Sequence, residues 1–100
     1  MEHQSTIIVA AAVTKPDALS AISRVLGSPV RGAAAHPYVS LPGGGRVTVE
    51  VPKFGEAPPL AIDVFDPRSA ADARAAAEAL LQGLGDATGW PIHHLLDSVQ

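Results

Sequence analysis

A chain of 100 residues, 47 % hydrophobic and 17 % charged, has room for one hydrophobic core and lies well away from the disordered regime. Its formal net charge is −3 and no two of its seven Lys and Arg residues are adjacent, which argues against nucleic acid as a partner because phosphates need a basic stripe. With no cysteine, disulfides, thiolate zinc centres and cysteine nucleophiles are excluded.

Aromatic residues make up only 4 % of the chain, so a core must come from Ala, Val, Ile and Leu. Small side chains of this kind favour close approach of helix to sheet. Residues 1–5 read as a flexible tail ahead of the apolar run Thr6–Val13, a strand covered on both faces or nearly so. The run is far too short to span a bilayer, and Glu2 and His3 stand where a signal peptide carries basic residues. The expectation is a cytoplasmic protein with no membrane association.

Thr14-Lys-Pro-Asp17 is a helix start: a capping hydroxyl, proline in the first turn and an acid three residues on. Leu19, Ile22, Val25 and Leu26 recur at helical spacing before Gly27 and Pro29 stop the helix. Residues 28–45 form an irregular segment rich in chain breakers, within which Tyr38–Leu41 suits a short extra strand. A structureless loop of this length would be uncommon in a small domain, so local order or a role is expected there.

Arg46–Val51 alternates with a period of two, Val47, Val49 and Val51 on one face and Arg46, Thr48 and Glu50 on the other. After a loop over residues 52–59, Leu60–Phe65 repeats the pattern with Leu60, Ile62 and Val64 on a common face. Asp66-Pro67 then suits a cap and first helical residue. Ala73, Ala77, Leu80, Leu81 and Leu84 form an apolar stripe, Arg74 and Glu78 are spaced to pair, and Gly83, Gly85 and Gly89 are expected to end the helix. Ile92–Asp97 fits either a final strand or a terminal helical turn.

Strand, helix, strand, strand, helix and a last strand make a single α+β domain over residues 1–100. The order predicts a ferredoxin-like βαββαβ plait, an antiparallel sheet with two helices on one face and the other face partly bare. The alternative is a three-stranded meander from Tyr38 to Phe65 with two helices packed on it.

Signals of chemistry are few. His93 and His94 are adjacent, so on a strand they point to opposite faces, and the four histidines show no metal-ligand spacing. Gly43-Gly44-Gly45-Arg46 precedes a strand, whereas a phosphate loop opens a helix, so a hairpin tip is the simpler reading. Glu50 and Asp63 would lie near one another on the wet face if their strands pair, as solvated carboxylates do. No serine sits in a nucleophile elbow.

No catalytic residue, metal site or cofactor follows from this, and the chain leans away from being an enzyme. The leading expectation is a non-catalytic module that binds another protein or a second copy of itself as a homodimer, through a surface including Tyr38, Val39, Leu41, Phe54 and Trp90. Trp90 serves equally well as a plug at the end of the core. The alternative is a domain that binds or transforms a small molecule in a pocket under residues 28–45, with His36, Tyr38, Arg46 and His94 as ligand-binding residues.

Overall fold

The structure, a computed structural model, describes residues 3–32, 36–50 and 60–95. Strand β1 (His3–Val9) begins earlier than the apolar run suggests, because His3, Gln4 and Ser5 pair with Asp66, Phe65 and Val64. These three residues are therefore part of the sheet and not of a tail. The strand also stops at Val9: Ala10–Ala12 carry no side chain suited to a pleated surface, and Val13 N donates to Ala11 O at 2.9 Å in a tight turn.

Helix α1 (Lys15–Leu26) has the ends its sequence predicts. The Thr14 hydroxyl accepts from the Asp17 amide at 3.2 Å, and Gly27 closes the helix at φ 68, a left-handed conformation that favours glycine. Ala18, Leu19, Ala21 and Ile22 make its buried stripe.

The segment 28–45 contains more order than its composition shows. Strands β2 (Val30–Arg31) and β3 (Tyr38–Ser40) pair antiparallel, and β3 turns into β4 (Arg46–Glu50) through the glycine triplet. Leu41 N donates to Gly45 O at 2.9 Å and Gly44 N to Leu41 O at 3.1 Å, closing that turn. Strand β5 (Leu60–Asp66) follows, then α2 (Ala70–Thr88) and β6 (Ile92–His94). Val51 and the loop expected at 52–59 fall outside the described residues.

Among the described residues the sheet has six strands, all antiparallel, in the order β2-β3-β4-β5-β1-β6. It is thus larger than either expected sheet. The neighbours β3-β4-β5 follow the meander, β2 extends it on one side, and β1 and β6 continue it on the other. Alternate residues Ile7, Val9, Val39, Val47, Val49, Leu60, Ile62 and Val64 are buried in one cluster with Ile22, Ala77, Leu80 and Leu84 from the helices. The helices pack on each other, with α1 over β2, β3 and β4 and α2 over β1, β5 and β6. Both therefore cover this face. No helix lies over the opposite face among the described residues, and none is long and apolar enough to cross a membrane.

Two expectations about α2 change. Ser69, not Asp66, is its cap, its hydroxyl accepting from Asp72 N at 3.0 Å. Asp66 continues the inward alternation of Leu60, Ile62 and Val64, so its carboxylate is buried, and its partner is Arg68, ahead of the cap, instead of an amide of the helix. The helix also runs through Gly83 and Gly85 before Gly89 ends it at φ 78. At Gly83 the reason is tertiary: an added Cβ would stand 2.6 Å from Val25 Cγ1, so glycine lets α1 and α2 touch.

Gly85 has no neighbour in reach of such a Cβ. Gly85→Ala should stabilise the protein by roughly 0.5–1 kcal/mol, the usual gain for alanine in a helix interior. Gly83→Ala should instead destabilise it by about 1 kcal/mol, because crowding the stiff Val25 side chain outweighs that gain. Thermal melts of the two variants should shift in opposite directions. A shared upward shift would remove the close helix contact.

Candidate binding site on the open sheet face

Period-two alternation on β4 and β5 turns Arg46, Thr48 and Glu50, and Ala61, Asp63 and Phe65, to the side the helices leave open. Register then decides which of them meet. Thr48 and Thr6 lie on either side of Asp63, while Arg46 and Gln4 lie on either side of Phe65. Glu50 is opposite Ala61, one diagonal step from Asp63, so the two carboxylates share the face without directly opposing each other.

Gln4, Thr6 and Asp63 are tied together on this face. Thr6 Oγ1 donates to Asp63 Oδ1 at 2.7 Å, and Gln4 Nε2 donates to the same oxygen at 3.1 Å and to Thr6 Oγ1 at 3.2 Å. The Arg46 guanidinium carbon stands 4.4 Å from the centre of the Phe65 ring, a cation–π arrangement that turns the ring's apolar area into a seat for a charged group.

A half-open pocket of about 470 Å³ lies over this part of the sheet. His36, Tyr38 and Arg46, three of the four residues expected to hold a ligand, line it together with Thr48, Asp63 and Phe65. They meet because β3 runs antiparallel beside β4 and brings Tyr38 and the residues before it alongside Thr48. Lys15, at the start of α1, and Glu50 also line it. The sequence alone does not bring Lys15, Thr48 and Phe65 into this set. The alternation already put Thr48 and Phe65 on the wet face, and only the strand register was needed to bring them to Tyr38.

His94 is elsewhere. It pairs with Ile7, a core residue, and so faces α2, where its Nε2 lies 2.5 Å from Glu78 Oε1. The Glu78 carboxylate also accepts from Gln82 Nε2 at 2.9 Å, and these two contacts, that from Gln82 first, hold its pKa below the usual glutamate value. Arg74 acts on Glu78 only as a further favourable charge. His93 is exposed beside Ile8 on the other face, so the two adjacent histidines do point apart. No group of three or more His, Asp or Glu side chains able to share a metal ion occurs among the described residues.

Of the expected contact surface, Tyr38 is half-buried on the open face. Val39 is fully buried, on the strand that packs against α1, and Leu41 nearly so, at 8 % exposure, so both belong to the core and not to a contact surface. Trp90 packs half-buried against that core, its amide donating to Thr88 Oγ1 at 3.1 Å. Phe54 lies outside the described residues. No family model, no curated protein and no solved structure matches this chain.

Proposed function

We propose that this chain is a non-catalytic binding module that works through the sheet face its helices leave uncovered, with another protein or a second copy of itself as partner. The one observation that carries this reading is the one-sided helix cover, which leaves Tyr38, Arg46, Thr48, Asp63 and Phe65 together on a broad surface. That surface mixes half-buried aromatic area with charged and hydroxyl groups, the composition of an interface that opens and closes and not of an obligate one. A net charge of −3 favours a basic partner through steering. Taken without β2 and β3, the order β1-α1-β4-β5-α2-β6 with strand neighbours β4-β5-β1-β6 supports a ferredoxin-like plait carrying a two-strand insertion. A cytoplasmic location belongs to the same reading.

Light scattering over a range of concentrations tests the homodimer. Association should rise with concentration, and Thr48→Arg, in the middle of the open face, should weaken it by about tenfold or more while leaving the melt within roughly 1 kcal/mol. A mass that stays at 10.2 kDa throughout removes the second copy as partner. Association unaffected by Thr48→Arg moves the interface off this face.

A second reading has its own support, since His36, Tyr38 and Arg46 line one pocket of a size that suits a small molecule. In that reading the open face holds a ligand, with His94 no longer among its contacts.

A further inference from the structure

The charges around the pocket narrow the ligand that the second reading allows. Lys15 and Arg46 balance Glu50 and Asp63 in its lining, so a simple anion meets two carboxylates and a simple cation meets two bases. A molecule carrying both signs finds an opposite charge for each of its own. The chain direction also separates Arg46 from Glu50. Strand β4 runs from Arg46 to Glu50, four residues or about 13 Å along the sheet. His36 and Tyr38 enter from the antiparallel β3 toward the Glu50 end.

Asp63 lies between the ends, opposite Thr48. Both of its hydrogen bonds from described residues fall on Oδ1, from Thr6 and Gln4, and Oδ2 accepts none of them. The Arg46 guanidinium is engaged over Phe65, which leaves Lys15 as the cation for an incoming carboxylate. Tyr38 and Thr48 add hydroxyl groups to the lining between.

We propose that this pocket binds a small zwitterion of the amino-acid or dipeptide class, its ammonium on Asp63 and its carboxylate on Lys15. The proposal rests on the small-ligand reading above and gives that reading its chemistry. Ammonium on carboxylate and carboxylate on lysine are charge-assisted contacts, so blocking either end of the ligand removes one of them.

Calorimetric titration of the full chain tests it with glycyl-L-phenylalanine, its N-acetylated form, its C-terminal amide, inorganic phosphate and glucose. The free dipeptide should bind saturably, and each blocked form should bind about tenfold more weakly, equivalent to ~1.4 kcal/mol. Asp63→Asn, which keeps the oxygen that accepts from Thr6 and Gln4, should abolish the preference for a free ammonium end. Lys15→Gln should abolish the preference for a free carboxylate end. Binding of phosphate or of glucose with the dipeptide inert overturns the zwitterion but retains the pocket. No heat with any probe at roughly 10 mM, enough to reveal even a millimolar Kd, overturns the zwitterion and the small-ligand reading together. The protein-partner reading is then still judged by scattering alone.

Discussion

Gly45→Ala should cost at least about 3 kcal/mol, lowering the melting temperature by roughly 12 °C or more, the largest single-residue effect expected in the β3–β4 turn. An added Cβ there would stand 2.0 Å from the backbone oxygen of Phe65 and 2.9 Å from Leu41 Cδ1. Backbone cannot swing aside as a side chain can, so β4 would have to part from β5 just where Arg46 pairs with Phe65. Its neighbours in the triplet give an internal comparison. Gly44 lies at φ +103 with open space around it, so alanine there meets only backbone strain, about 1–3 kcal/mol. A Cβ added at Gly43 would stand 2.8 Å from Arg68 Nη2, the end of a side chain that can shift more readily than backbone, though at some cost to its bond with Asp66. Thermal melts of the three variants should rank Gly45→Ala as the most damaging. A Gly45→Ala protein as stable as Gly43→Ala would mean the turn does not sit against β5.

Those three glycines show what local pattern reveals and what it hides. A turn was readable from Gly43-Gly44-Gly45 because chain breakers act locally. The contact with Phe65, which makes one of them indispensable, joins residues far apart in sequence. The same division runs through the fold. Thr14, Pro16, Asp17 and Gly27 mark both ends of α1, since a cap needs only its own helix. Gly83 reads as a helix stop until Val25 is seen against it. Strand β2 has two exposed residues, too few to show a period.

At the candidate site, the alternation on β4 and β5 is enough to say which side chains share a face. It cannot say which of them meet, because a one-residue slip of register turns a whole strand over. His94 illustrates this: only its pairing with Ile7 puts it on the helix side, beside Glu78 and away from Tyr38. Val39 and Leu41 read as contact residues because their segment is too irregular for parity to be read. His3, Gln4 and Ser5 contain no apolar residue to advertise a strand, yet Gln4 reaches the same Asp63 oxygen as Thr6.

Acid should destabilise this protein through Asp66 over a defined interval. Among the described residues, Asp66 is the one charged residue fully buried and Arg68 is the one donor to its carboxylate. Arg68 Nη2 donates to Oδ2 at 2.6 Å, while Nε at 3.0 Å and the backbone amide at 2.8 Å donate to Oδ1. The guanidinium bonds overcome the opposing effect of burial and bring the carboxyl from its ordinary 3.8 down to about 2. A carboxyl lowered on folding binds its proton more readily in the unfolded chain. Its contribution is therefore complete above about pH 4 and is lost as the pH falls from there through about 2. Arg68→Met removes the cation and two donors, leaving burial to act against a single amide, so the folded carboxyl rises: the variant should be less stable than the parent near neutral pH and should lose less stability, or even gain some, across the acid interval. Asp66→Asn removes the titrating group and should flatten the same interval. Urea midpoints measured from about pH 6 to about pH 2 separate the three proteins. Parallel acid profiles for the parent and Asp66→Asn would show that this carboxylate does not govern the acid limb, and that the ion pair beneath the glycine turn contributes nothing a neutral residue could not.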